Sequence, residues 1–316
     1  MSMQWYAELL QGATLETLAQ QVDLFNKATG GALLLTGKGF KGDYLAESFF
    51  STLESAQYET DYTGANSAKA PVDLAQGENV VTKVGGGFKV KLNPSELNYL
   101  KVNTASAVEA ISRSTALGIM QDQLNRGVLS AVTAIETEAT AVNDVSATLG
   151  ISQVAMNDAY AKFGDSSQNI VCNIMRGTTQ HKLIGQALAN DAQLFTAEKI
   201  RVIDIQGKIS VISDIPALYE TGTPNKEKIL SLVAGGLIIN DGSDMNSAMT
   251  QDTSKERIET TYQTDYRFGI DVKAYNFDKT IGSPKSAAIG TGANWALNAS
   301  DIKNSAGVVL IGDASK

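Results

Sequence analysis

Two stretches of patterned hydrophobicity frame this chain, and both are unusually long. Between residues 103 and 139 there is no proline, and Leu117, Met120, Leu124, Val128, Ala131 and Ile135 follow at steps of three and four. That spacing gathers them on one face of an α-helix. Glu109, Arg113, Asp122, Arg126 and Glu136 fall mostly on the other face, and Ser106-Ala-Val-Glu109 fits a capping box at the start. About 35 residues at about 1.5 Å each make a rod roughly 50 Å long. From 258 to 274 the even positions read Ile, Thr, Tyr, Thr, Tyr, Phe, Ile, Val and Ala, while the odd ones are mostly charged or polar. A period of two sustained this far predicts a half-buried strand. At about 3.3 Å per residue it too spans roughly 50 Å, with Gly269 as a point of bending or bulging. Helix and strand together predict an elongated slab.

Shorter patterns fill in the rest. Leu15, Leu18, Ala19, Val22 and Phe25 repeat at helical spacing before Thr29-Gly-Gly31, so a first helix must dock on this subunit or on a neighbour. An apolar run from residue 32 leads to a glycine-rich loop, Gly37 to Gly42, and then to a predicted helix through Tyr44, Phe49, Phe50 and Leu53. Residues 57–92 predict a β-hairpin with a long tip, because 58–62 and 88–92 alternate, 79–84 is strand-like, and Gly85-Gly-Gly87 interrupts. Polar on both sides, such an arm cannot fold alone. Its open edges call for cover from another chain, which makes Tyr58, Tyr62, Phe88, Val90 and Leu92 candidate contacts between subunits. Residues 144–250 read as a compact α/β block: a helix at 152–163, a strand at 169–175, a helix capped by Thr178 or Thr179, strands at 200–205 and 208–213, and an apolar stretch at 229–239. Residues 305–311 predict a last strand on the slab.

Composition narrows the function. With 316 residues, 43% of them hydrophobic and 19% charged, the chain has enough material for a real core. A net charge of −8 without any basic run argues against a dedicated nucleic-acid binder, which needs clustered Lys and Arg. The single cysteine, Cys172, lies in an apolar run and reads as a buried, inert thiol. No basic-then-apolar leader and no membrane-spanning run stands out, so the expected setting is a reducing cytoplasm.

Candidate chemistry is thin. Gly37-x-Gly39-x-x-Gly42 fits the dinucleotide fingerprint, with Glu59 and Asp61 about 20 residues on. The second buried parallel strand that a nucleotide-binding unit requires is missing, however, since 57–64 is polar and alternating. A loop at the base of the arm is the better account, and a nucleotide-binding α/β enzyme using Gly37 to Gly42 stays as an alternative. His181 is the lone histidine and reads as an ordinary helix residue. Asp241-Gly-Ser-Asp244 lacks the further carboxylates of a calcium loop and reads as a turn. Asn298-Ala-Ser300 carries no weight without a secretory route. No catalytic residue, cofactor or metal is predicted.

The order of these features resembles the major capsid protein of tailed bacteriophages, with the HK97-like fold. Local phrases that look like one branch of that family are Phe25-Asn-x-Ala-x-x-Gly-Ala32, Gly42-Asp-Tyr44, Gln76-Gly-Glu78, Phe268-Gly-Ile-Asp-Val-Lys-Ala-Tyr-Asn-Phe277, Asn294-Trp295 and Asp301-Ile-Lys-x-Ser-Ala-Gly-Val-Val309. The resemblance implies an α+β chain with an N-terminal arm (1–35), an extended E-loop hairpin (36–93), a peripheral domain with the spine helix (94–143), a compact α/β axial domain (144–250) and peripheral return strands with the C-terminal segment (251–316). It further implies self-assembly as hexamers and pentamers into an icosahedral shell around double-stranded DNA, contacted weakly and non-specifically. A separate scaffolding protein or none, a portal and decoration proteins are the other implied partners, with no membrane. An encapsulin-like compartment shares the fold and remains a second reading. Some family members join subunits through lysine and asparagine; Lys69, Lys83 and Lys89 lie on the arm, without an identifiable partner. Gly118 and Gly127 lie in the spine helix, each costing about 1 kcal/mol relative to alanine. They either let the helix flex as the shell matures or permit close packing.

Overall fold

The computed structural model describes residues 3–36, 44–50, 59, 60, 62–64, 68, 70, 71, 76–93, 96, 98, 104–190, 208–241, 244–254, 256, 258–299 and 301–316. The glycine loop of Gly37 to Gly42, Tyr58, Lys69 and the strand predicted at 200–205 lie outside these residues.

The chain opens with helix α1 (Met3–Ala28) and strands β1 (Leu33–Thr36), β2 (Tyr44–Phe50) and β3 (Gln76–Leu92). Helix α2 (Thr104–Glu136) follows, then β4 (Val142–Asp144), α3 (Gln153–Ala161), β5 (Ile170–Met175), α4 (Gly177–Asn190), β6 (Ile209–Ile212) and β7 (Tyr219–Glu220). The remainder is β8 (Lys226–Val233), β9 (Leu237–Asp241), β10 (Asn246–Asp252), β11 (Glu259–Val272), β12 (Tyr275–Phe277), α5 (Ser286–Ile289), β13 (Trp295–Leu297) and β14 (Gly307–Asp313).

β11 organises the first sheet. All its even residues from Thr260 to Val272 are buried, as strict alternation requires when one face meets a core. β3 pairs with one edge, from Leu92 opposite Thr260 to Thr82 opposite Ile270. β10 and then β9 take the other edge, and β1 joins β9 in parallel. Gly269 marks no bulge: it faces Lys83 on one side and Asn240 on the other in unbroken register.

β2 corrects one expectation, since residues 44–50 form a strand rather than a helix. It pairs antiparallel with the first half of β3, Phe50 opposite Gln76 and Tyr44 opposite Thr82. The hairpin is therefore made of β2 and the start of β3. Seventeen residues long, β3 changes partner at Thr82 and spends its second half on β11. Phe88, Val90 and Leu92 consequently face Thr264, Tyr262 and Thr260 of the same chain, inside the slab and not on a free arm.

The second sheet runs β4-β14-β8-β5-β6, with β7 against β8. All seven residues of β14 are buried. Val309 and Ile311 belong to the main core, while Val308 and Leu310 face a second cluster with Met156, Phe163 and Leu183. A strand apolar on both faces is a central strand. Residues 305–311 thus lie in the middle of this second sheet and not on the slab, parallel to β4 and antiparallel to β8. The apolar stretch 229–239 likewise divides between the sheets as β8 and β9. Between them Gly235 takes φ +67°, and a β-carbon on Gly236 would meet the Ala306 carbonyl at 2.6 Å.

α2 joins both sheets. Its last turns, Val128 and Ser130 to Ile135, are buried all round, the pattern of a helix enclosed by protein. α1 docks on its own subunit: Ala7 and Leu10 pack with Val108 of α2 and Tyr262 of β11. The Gln11 amide donates to the Met245 carbonyl at 2.7 Å, and Ser247 donates to the Ala7 carbonyl. Asn26 stands in for a strand against β1, with its amide donating to the Leu35 carbonyl at 2.6 Å and accepting from the Leu35 amide at 2.8 Å.

Helix starts are shifted slightly. α2 begins at Thr104, so Ser106 lies within its first turn. α4 begins at Gly177, and Thr178 and Thr179 donate their hydroxyls to Glu227 instead of capping. Ser152 does cap α3, accepting from the Ala155 amide.

Candidate functional site

The long contact between α2 and the ribbon gathers most of the residues singled out by sequence. Val128 and Ile135 are fully buried, and Met120 and Leu124 pack half-buried against the main core. Leu117 is 43% exposed and corrects the expected face. In this half of the helix the buried stripe is Val108, Ser112, Ala116, Ile119 and Gln123. Two of these are polar and one is alanine, so hydropathy underweights the face that is buried here.

Small residues there have a steric cause. A β-carbon on Gly118 would lie 2.8 Å from the Phe88 ring, and one on Gly127 would lie 2.7 Å from Ile239 Cδ1. Both glycines therefore sit where side chains of the sheet leave no room for a β-carbon, and α2 runs through them without a break. Sequence reading missed the role of Gly85 to Gly87. These residues lie inside β3, opposite Arg267, Tyr266 and Asp265. Gly86 leaves room for the Tyr266 ring, which a β-carbon would meet at 2.5 Å. Glycines within a strand signal such close approach.

A polar clasp fixes this contact. Tyr266 donates its hydroxyl to Asp122 Oδ2 at 2.6 Å, and Arg126 grips the same carboxylate through Nε to Oδ1 at 3.0 Å and Nη2 to Oδ2 at 2.9 Å. Arg126 Nη1 also donates to the Gly85 carbonyl at 2.6 Å, and the guanidinium lies 5.7 Å from the centre of the Phe268 ring. Burial, and then the Asp122 carboxylate, push the Tyr266 phenol far above its usual value. The short approach to a carboxylate oxygen fixes the hydroxyl as the donor. Phe88 stacks on Tyr266 at 5.8 Å between ring centres.

Two further ion clusters tie the parts together. Lys228 of β8 meets Glu136, the last residue of α2, at 2.7 Å and Glu220 of β7 at 3.1 Å. Lys83 of β3 meets Asp244 at 2.8 Å, and Arg267 adds a second contact to that carboxylate at 3.5 Å. Asp244 is thus committed to cations of the protein itself. Where the hairpin leaves the slab, the Val80 amide donates to Asn276 Oδ1 at 3.0 Å. Of the candidate contacts between subunits, Tyr62 is 95% exposed, Val90 is exposed, and Phe88 and Leu92 are half-buried.

The remaining candidates hold no reactive arrangement. His181 is exposed on α4. Cys172 is fully buried, and burial pushes its thiol up to about 12, out of the reactive range. Among the described residues no three His, Cys, Asp or Glu side chains group to hold a metal, and no helix is long and apolar enough to cross a membrane.

A long helix clasped to a long ribbon, an extended hairpin and a second sheet built around β14 define the HK97-like fold of phage capsid proteins. The chain is similar to a subunit of the Cyanophage Pam1 capsid, with TM-score 0.53 and 12% identity over 86% of this chain and 85% of that one. It is also similar to a protein of Mycobacterium phage Adephagia, with TM-score 0.53 and 9% identity over 88% and 87% of the two chains. A protein of Microbacterium phage Oxtober96 aligns with TM-score 0.51 and 12% identity over 75% and 83%. The sequence model of the Gp13-like family, major capsid protein 13-like, matches residues 2–309, and the chain belongs to that family. No curated protein sequence matches it. The protein is accordingly a phage capsid protein, a structural component of the virion.

Proposed function

We propose that copies of this chain close as hexamers and pentamers into an icosahedral shell that holds double-stranded phage DNA. The family match across residues 2–309 carries this reading. The β2–β3 hairpin supports it, because an extended sheet edge with Tyr62 exposed in the connection between its strands suits contact with another copy. A net charge of −8 suits a wall that must fill and empty without holding its contents tightly. A separate scaffolding protein or none, a portal and decoration proteins are the further partners this reading implies, with assembly in the host cytoplasm. Gly118 and Gly127 serve close packing of α2 on the ribbon.

Electron microscopy of particles purified after nuclease treatment tests the proposal. Uniform icosahedral particles with protected duplex DNA are expected from infected cells. Uniform shells that enclose an enzyme and no DNA would turn the reading to an encapsulin-like compartment. A monomer that never assembles would refute both.

A further inference from the structure

Several open strand edges of this chain are guarded. Asn26 takes both the amide and the carbonyl of Leu35 at the edge of β1, and β4, β6, β7 and β13 have four residues or fewer. Where β3 runs on past β2 it carries the exposed Lys89 and Lys91, and Arg126 takes the Gly85 carbonyl. Short edges, lysines and covering groups are the usual means by which proteins keep sheets from joining. β10 has none of them. Its seven residues, Asn246-Ser-Ala-Met-Thr-Gln-Asp252, hold no lysine, arginine or proline, and the only charge stands at the end. Its pairing with β11 is unbroken, from Asn246 opposite Asp265 to Asp252 opposite Glu259. On the inner face the strand is pinned, since Ser247 donates to the Ala7 carbonyl at 3.1 Å and Met249 packs with Ala7 and Leu10. In an antiparallel pair alternate residues turn their amide and carbonyl away from the partner strand. Between Asn246 and Gln251 no such group bonds to described backbone beyond β11. β10 is thus a fixed and unguarded template for a further strand.

We propose that β10 receives strand β2 of a second copy of this chain. β2 also has seven residues, Tyr44 to Phe50, without lysine, arginine or proline, and among the described strands it pairs with β3 alone. Thr82 of β3 pairs with Tyr44 on one side and Ile270 on the other, so β2 and β10 lie at opposite edges of the same sheet. Joining opposite edges is a head-to-tail contact, which can repeat around a ring, whereas β10 joined to β10 would stop at a dimer. The inference rests on the shell reading above and names one seam of its rings.

Cysteine pairs in assembled particles test it, and the buried Cys172 takes no part. Ala248 is exposed, and Ala248→Cys is combined in one chain with a single cysteine placed in turn at each position from 44 to 50. Directly opposed residues have Cα atoms about 4.5–5.5 Å apart, within the span of about 4.4–6.8 Å that a disulfide bridges. Oxidised particles on a denaturing gel without reductant are expected to give a ladder of linked chains for at least one pair, and monomer alone for each single cysteine. Linked dimers from Ala248→Cys alone would overturn the proposal, because β10 would then meet its own copy. So would particles in which no pair links. Hydrogen exchange of wild-type particles needs no variant: alternate amides of both β10 and β2 are expected to exchange at least about fivefold more slowly than in the free subunit, the worth of one hydrogen bond. Unchanged exchange in either strand would overturn the proposal and leave the shell standing. Wild-type subunits that form no particle would overturn both.

Discussion

A single methyl group measures how closely α2 lies on the ribbon. Alanine at Gly127 gains about 1 kcal/mol of helix preference but must push aside Ile239 Cδ1 at 2.7 Å and Leu237 Cδ2 at 3.3 Å. Crowding a packed core costs about 1–3 kcal/mol, so Gly127→Ala is expected to destabilise by about 1 kcal/mol net. At Gly12 of α1 nothing lies within 4 Å of the added carbon, and Gly12→Ala is expected to stabilise by up to about 1 kcal/mol. Urea unfolding of the unassembled subunit reads both, and shifts of the same sign would contradict the packing account. Tyr266→Phe keeps the ring and removes only the donor to Asp122. A hydrogen bond to a charged acceptor is worth about 1.5–3 kcal/mol, and the loss should sit near the lower figure because Arg126 still holds the carboxylate.

Elements differ in how openly the sequence declares them. β11 was legible because one face is apolar and the other wet at every step, and α2 was legible from its length and its freedom from proline. The buried side of α2 was not, since Ser112, Ala116 and Gln123 are polar or small and Gly127 sits where Ile239 leaves no room for a β-carbon. β2 read as a helix because Phe49 and Phe50 lie four and three residues before Leu53, and only pairing with β3 decides between the two periods. β14 declared itself a strand but not its partners, although Gly307-Val-Val-Leu-Ile311 is apolar on both sides and so fits a central position. Removal of residues 307–316 would leave a gap between β4 and β8 and expose the apolar faces of both cores. Fully burying each such aliphatic side chain is worth about 1.5–3 kcal/mol, so the shortened chain is expected to be insoluble on expression. Lys228 links α2 to the second sheet and gives an alkaline signature. Burial alone would lower its pKa, but the contacts with Glu136 and Glu220 outweigh burial and raise it above 10.5. A raised folded value means the stabilisation is complete below about pH 10.5 and fades as pH climbs through the folded value. Urea midpoints followed upward from about pH 9 should fall more steeply for wild type than for Lys228→Met. Asp244 acts in the opposite range. The hydrogen bond and charge of Lys83, then Arg267, hold its carboxyl below 3.8, so its contribution is present above that value and is lost in acid.

For the whole molecule, charge and connection matter more than any single contact. Ion pairing absorbs several of the lysines and arginines, among them Lys83, Arg126, Lys228 and Arg267, and the chain remains acidic overall. The isolated subunit is therefore expected to show no band shift with duplex DNA at micromolar protein and physiological salt, where non-specific binders have dissociation constants of about 10⁻⁴–10⁻⁶ M. A clear shift that weakens steeply with added salt would mean that folding concentrates positive charge in a way the composition conceals. The three residues from Ala234 to Gly236 that carry the backbone from one sheet to the other have a further consequence. Gly236 is walled in by neighbouring carbonyls, and one continuous core runs beneath both sheets and the buried turns of α2. Such a strap is expected to hinge little, so that each subunit would act as a stiff tile and any curvature in a vault of these tiles would be set at the seams.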